Sequence, residues 1–298
     1  MKINSTYLSS CLSIFISMLS LSVVSSVYAA KQVSSADLCK KIGAKLSSIS
    51  TKECRQLNFN KPRFYSVNGL PLLEKYFKAD KDVKYAPKIL FIGGIHGDEY
   101  SSVSVTFKWL KTLNKYHSGA YDWHFVPLVN PDGLLKRKST RVNANKIDLN
   151  RNFLTAASSI KAIDHWRDKT KHRQRYFPGE KPLSEPESKA IHQLIEEIKP
   201  TVIVSVHAPH GILDFDGNVN PPKRLGSLQL HQLGTYPGSL GNYGYNIKGI
   251  PVMTIELEHA GIMPKKGQIL AMWVDLVRWI KMKTESKEIV VLNRNSSE

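Results

Sequence analysis

The segment Gly93-Gly94-Ile95-His96-Gly97-Asp98-Glu99 sets an imidazole and a carboxylate three residues apart across a glycine-rich turn. Both can reach one ion at the ~2.0–2.2 Å that zinc takes to His nitrogen and Glu oxygen. Two protein ligands do not hold zinc, so a third must come from elsewhere in the chain. Val202-Ile203-Val204-Ser205-Val206-His207 supplies one, ending an apolar run much as His96 follows the run Lys88 to Ile95. A set of two His and one Glu leaves a fourth position for water, which is the arrangement of catalytic rather than structural zinc.

Elements must exist to bring these side chains together. Lys88–Ile95, Trp123–Val129, Val202–Val206 and Val252–Leu257 are short runs of β-branched, aromatic and aliphatic residues, and they are predicted as buried strands. Helical patterns lie between and after them. Glu99–Leu113 carries Val103, Phe107 and Leu110 on one face, and Gln268–Met282 carries Met272, Trp273, Leu276, Val277 and Ile280 on one side. In Glu185–Ile198 the spacing of Ser184 and Glu187 predicts a capping box. Strands alternating with helices predict an α/β domain of three layers, with a mostly parallel, mixed central sheet flanked by helices. The C-terminal edges of such strands, where His96 and His207 fall, are where these sheets keep their sites.

The rest of the chain sets the compartment. Lys2 is the only charge before Lys31, and an apolar run from Leu12 to Val24 ends at compact residues around Val27 and Ala29. This reads as a signal peptide over residues 1–29, cleaved before Ala30 rather than kept as a membrane span. Cys11 lies inside the apolar run, which does not suit a lipoprotein. Two cysteines then remain, Cys39 and Cys54, and in an oxidising compartment pairing is the default. Residues 30–75 read as an N-terminal extension with that bridge, 76–283 as the catalytic domain and 284–298 as a flexible polar tail. With 42 Lys and Arg against 25 Asp and Glu the chain has a net charge of +17, and losing Lys2 barely changes that. Nucleic acid is not expected as a partner outside the cytoplasm, so the anionic candidates are cell-wall polymer, lipid headgroups or an acidic substrate.

Between the two metal motifs lie Asn130-Pro131-Asp132-Gly133, Arg141-Val142-Asn143 and Asp148-Leu149-Asn150-Arg151-Asn152-Phe153, and after them Thr254-Ile255-Glu256-Leu257. In this order the set resembles the zinc carboxypeptidases related to carboxypeptidase A. Tyr176-Phe177-Pro178-Gly179 followed by Ser184-Glu185-Pro186-Glu187 is more similar to the bacterial murein tripeptide amidases within that family. The resemblance implies a carboxypeptidase-like fold and one zinc ion on His96, Glu99 and His207. It implies Glu256 as general base and acid, whereas strand periodicity leaves Glu258 as the competitor, two residues on and so on the same side of an extended strand. It implies Arg141 as the oxyanion-stabilising arginine, with Arg137 close enough to blur the match. It implies Asn150 and Arg151 as the grip on a terminal carboxylate, Asp148 behind a ligand histidine, and Tyr236 as a mobile substrate-binding tyrosine.

The expectation is a periplasmic or secreted metallocarboxypeptidase or amidase that cuts an amide bond near the C-terminal end of a peptide. The substrate suggested is peptidoglycan, at the bond between γ-D-glutamate and diaminopimelate. Two alternatives stay open: an acylase of the succinylglutamate desuccinylase or aspartoacylase type, and a catalytically silent wall-binding module. His210, His259 and the other histidines read as structural or surface groups.

Overall fold

The computed structural model describes residues 33–83 and 86–286. The expected signal peptide and most of the expected tail lie outside the described residues. The strands are β1 (Lys75–Phe77), β2 (Lys88–Gly93), β3 (Asp122–Val126), β4 (Val202–His207), β5 (Ile212–Asp216), β6 (Arg224–Leu225), β7 (Leu228–Leu230) and β8 (Val252–Glu256). The helices are α1 (Ser35–Lys45), α2 (Thr51–Gln56), α3 (Tyr100–Tyr116), α4 (Pro131–Leu135), α5 (Ala162–Lys169), α6 (Pro186–Ile198) and α7 (Lys266–Glu285). None of the described helices is long and apolar enough to cross a membrane.

All eight strands form one sheet in the order β1-β3-β2-β4-β8-β5-β7-β6. β3, β2, β4 and β8 run parallel, while β1, β6 and the β5–β8 pair are antiparallel, so the sheet is mixed. β2 and β4 are buried on both faces, which is why they read as continuous apolar runs rather than alternating ones. One face is covered by α1, α2, α3 and α7, with Phe91 stacked on Phe125 at 4.6 Å and Trp109, Trp123 and Trp273 around them. On the opposite face α6 contributes Ile191, Leu194, Ile195 and Ile198, packed with Leu149, Phe153 and Tyr243. Two apolar layers on a central sheet give the three-layer α/β architecture expected from the alternation of elements.

Three departures have physical causes. Ser184 and Glu187 do not cap α6: Ser184 Oγ accepts from Asn152 Nδ2 and donates to Glu185, while Glu187 accepts from Asn143 and from the Val67 amide. Their hydrogen-bonding capacity is taken by tertiary partners, and Pro186 at the first turn reduces the need for a cap. α7 runs on through Glu285, past the start of the expected tail. The strands β1, β5, β6 and β7 had no apolar run to reveal them, since they are two to five residues long and carry lysine, arginine, glutamine or aspartate.

Candidate active site

The chain leaves β2, forms α3 and returns as β3 on one side of β2, then comes back much later as β4 on the other side. Such a reversal opens a crevice at the strands' C-terminal ends. His96 lies in the turn just past β2, and His207 and Glu256 are the final residues of β4 and β8.

The turn after β2 depends on its glycines. Gly94 has φ of +60°, and a Cβ there would meet Val103 and Leu128. A Cβ on Gly97 would collide with the backbone at Gly133–Leu134, so the His96–Glu99 turn lies directly on α4 and the Asn130-Pro131-Asp132-Gly133 motif. Asn130 Oδ1 in turn accepts from Gly133 N at 2.8 Å and holds α4's first turn in place. Glu99 stands at the start of α3 without capping it, because its carboxylate is turned toward the histidines.

His96, Glu99 and His207 are all buried and point their ligand atoms at one another. His96 Nδ1 is 2.7 Å from Glu99 Oε1, and His207 Nδ1 is 3.2 Å from both His96 Nδ1 and Glu99 Oε2. Ligands at about 2.0–2.2 Å on a tetrahedral ion stand about 3.3 Å apart, so these edges are near what zinc requires. The outward nitrogens are occupied: His96 Nε2 lies 3.1 Å from Asp148 Oδ1 and His207 Nε2 lies 3.0 Å from Ser205 Oγ. With Nε2 of His96 donating to the carboxylate, its Nδ1 keeps a lone pair facing inward, the tautomer a metal ligand needs. The donor set therefore suits zinc. Burial alone would raise the Glu99 carboxyl, but the two imidazoles beside it hold it below its ordinary range.

Asp148 joins this centre to the neighbouring cations. It is fully buried and takes hydrogen bonds from His96 Nε2, from Arg141 Nε at 2.8 Å and from the Asn150 amide at 3.0 Å. Burial opposes its charge, yet Arg141 and His96 hold it well below the usual carboxylate range. Arg141 also approaches Glu99 Oε1 at 3.7 Å and lines the cleft. Arg137 is exposed and outside the cleft, which separates the two arginines the sequence left close together.

The cleft has a volume of about 730 Å³ and is lined by His96, Glu99, His207, Arg141, Asn150, Arg151, Tyr236 and Glu256. Asn150 accepts from the Leu240 amide at its side-chain Oδ1. Arg151 donates to the Asn150 carbonyl and stacks on Tyr236, 4.7 Å from the ring centre. Tyr236 is 43% exposed, at the mouth. Glu256 is half-buried, with the His210 amide 3.5 Å from its Oε2. Glu258 is not on the same side: β8 ends at Glu256, Leu257 turns into the core with its amide on the His207 carbonyl, and Glu258 faces a separate crevice.

Residues the sequence reading passed over also line the cleft. Tyr176 stacks beside Arg141, and Asp214 and Asp216 project from β5. The i,i+2 spacing of the two aspartates on a strand was the available signal, and it was hidden because β5 itself went unrecognised. His210 lines the cleft wall as well, while His259 is exposed and offers its carbonyl to Ser101.

Comparison with known proteins agrees with this geometry. The chain is 40% identical over 146 residues to murein peptide amidase A of Escherichia coli strain K12, a match covering 48% of this chain and 57% of that protein. It is 33% identical over 199 residues to murein peptide amidase A of Vibrio campbellii, covering 64% of this chain and 76% of the relative. The solved murein-tripeptide amidase from Escherichia coli O157 superposes with a TM-score of 0.51 at 27% identity, over 72% of this chain and 90% of that one. The chain thus matches little more than half the length of the Escherichia coli strain K12 relative. The sequence model of the zinc carboxypeptidases matches residues 55–213, more than half of the chain and a span that holds His96, Glu99, Arg141, Asp148 and His207. By that match and the architecture around it, the chain belongs to the zinc carboxypeptidase family.

Proposed function

We propose that this protein is a zinc-dependent peptidase or amidase that hydrolyses an amide bond near the C-terminal end of peptidoglycan peptides. The observation that carries the reading is the shared cleft: the facing His96, Glu99 and His207, the Glu256 carboxylate and the arginines 141 and 151 all line one cavity. The similarity to murein peptide amidases supports the substrate class. Export to the periplasm or outside fits the Cys39–Cys54 bridge and the pattern of residues 1–29.

His96, Glu99 and His207 would hold zinc. When bound, the ion supplies a Lewis acid for the scissile carbonyl and brings the pKa of water toward about 7. Glu256 takes a proton at its carboxylate and returns it to the leaving nitrogen, a role suited to a group at the cleft wall with one weak partner. Arg141 is fixed at Nε by Asp148 and offsets the negative charge that develops on the carbonyl oxygen. Asn150 and Arg151 receive the terminal carboxylate, since a guanidinium fork matches two carboxylate oxygens. Tyr236, stacked over Arg151 at the mouth, closes that end. Asp148 keeps His96 and Arg141 in their orientations.

The test is to incubate zinc-loaded protein and its Glu256→Gln variant with purified muropeptides and with ordinary peptides, reading products by mass spectrometry. Release of diaminopimelate-containing product that needs zinc and disappears in the variant supports the reading and names the bond. Trimming of ordinary peptides alone removes the wall substrate and keeps the chemistry. Salt-sensitive wall binding without turnover favours the binding-module alternative.

A further inference from the structure

A lysine on the inward face of a helix needs polar partners, and Lys45 of α1 is such a residue. Leu38 and Ile42 are buried in the core, and Lys45 lies one turn beyond Ile42 on the same side of the helix. Its stem is carried toward the domain with that apolar face, so its ammonium must find acceptors there. It finds two backbone carbonyls: Nζ donates to Lys136 O at 2.7 Å and to Arg137 O at 3.1 Å. Both belong to the turn that follows α4, where a helix ends in carbonyls without intrahelical donors. Nζ also stands 5.6 Å from the centre of the Tyr100 ring. α1 precedes the span matched by the family's sequence model, which begins at residue 55, so this contact comes from outside it.

The turn held in this way leads to Arg141. Ser139 Oγ donates to Leu134 O at 2.6 Å and accepts from the Tyr100 hydroxyl at 2.8 Å. The Thr140 amide donates to Gly133 O at 3.0 Å, and Asn130 Nδ2 donates to Arg141 O at 3.0 Å. Tyr100 opens α3 directly after Glu99, so these bonds tie the far end of the turn to the His96–Glu99 motif. The near end, at 136 and 137, is tied to α1 through Lys45. From this turn the Arg141 side chain reaches Asp148 at Nε and approaches Glu99. Clamped at both ends, the turn delivers the guanidinium to one place in the cleft. Released at 136 and 137, it can pivot about Ser139, and Arg141 moves with it.

We propose that Lys45 is a positioning residue for Arg141: by holding the Lys136 and Arg137 carbonyls it fixes the turn that sets where the guanidinium stands against the scissile carbonyl oxygen. This rests on the peptidase reading above and deepens it, since it makes the N-terminal helix part of the machinery that meets the developing negative charge. A donor to that oxygen acts on charge that appears only in the transition state. Displacing it therefore lowers kcat and leaves KM in place.

The experiment compares zinc-loaded wild type and Lys45→Met on the peptide that wild type cuts, with a melting curve and metal analysis to show that the variant is folded and loaded. Lys45→Met is expected to lower kcat about tenfold at unchanged KM and zinc content, a part of the roughly 100–1000-fold that outright loss of an oxyanion donor costs. In an Arg141→Ala background the same substitution should cost nothing further, because its effect passes through Arg141. Should Arg141→Ala not fold, a phosphonate analogue of the peptide decides. Its binding is expected to weaken about tenfold in Lys45→Met while binding of the peptide product stays the same. Unchanged kcat, a loss carried by KM, or the same loss with and without Arg141 overturns the proposal and leaves the hydrolase standing. Amide hydrogen exchange separates the two readings. If wild type cuts no peptide the hydrolase reading fails, and faster exchange at the Thr140 amide in Lys45→Met still supports Lys45 as the residue that fixes the Arg141 turn. No cleavage together with unchanged exchange overturns both.

Discussion

His207 and Glu256 are register partners on neighbouring parallel strands, β4 and β8, at the last residue of each. The spacing between the imidazole proposed to hold the metal and the proposed base is thus set by backbone pairing, not by loop conformation. A slip of one residue would turn Glu256 to the other face of the sheet. Glu256→Asp keeps the charge and withdraws it by one methylene, and a misplacement near 1 Å can cost about a hundredfold. The expected outcome is a fall of that size in kcat with zinc content unchanged, checked by steady-state kinetics beside metal analysis. An equal loss of zinc would place Glu256 among the ligands instead.

Asp148 holds three groups at once, His96, Arg141 and the Asn150 amide. Asp148→Asn leaves one acceptor oxygen and no charge beside a buried guanidinium. Zinc affinity is expected to drop about 10–100-fold, as for other partners that orient a ligand histidine, and this is read by competition with a chromogenic chelator. Activity at saturating zinc should remain depressed because Arg141 has lost its anchor, whereas a purely metal-orienting role would let zinc restore it.

Much of this centre could be read in the chain because its chemistry coincides with local pattern. His96 follows, and His207 ends, a strand buried on both faces, and such strands are continuous apolar runs. Glu256 over Glu258 was not decided locally, since two carboxylates at i,i+2 look alike until the strand is seen to end between them. Ser184 and Glu187 show the opposite failure: a capping pattern was present, and tertiary donors from Asn152, Asn143 and Val67 claimed both side chains. The aspartates of β5 were missed because polar residues on a strand facing a cleft look like loop residues.

The Cys39–Cys54 bridge ties α1 to α2, both sulfurs are buried, and the Cα atoms are 5.5 Å apart. It closes a loop with a sequence separation of 15, for which chain entropy predicts about 3 kcal/mol of stabilisation. A Cys39→Ala, Cys54→Ala double variant should unfold in urea at a lower midpoint by that free energy, with kcat unchanged where it is folded. Equal midpoints would mean that packing of Leu38, Ile42 and Ile49 alone secures this segment.

Glu187 is buried completely among Asn143, the Val67 amide and the Asp132 carboxylate. Burial raises its carboxyl from 4.5 to about 7, against the lowering effect of those hydrogen bonds. Between those values the folded protein holds a proton that the unfolded chain has released, so stability falls as pH rises through the window. The contribution is fully present below the unfolded pKa and lost above the folded one, with an upper bound of about 3 kcal/mol. Urea denaturation at intervals from pH 4.5 to 7.5 measures the slope. Glu187→Gln cannot titrate, so its curve should be flatter than wild type over that range, even where the amide costs some stability throughout by facing Asn143 Nδ2. Parallel curves would mean that Glu187 is already ionised at the bottom of the window, its charge carried by Asn143 and the Val67 amide.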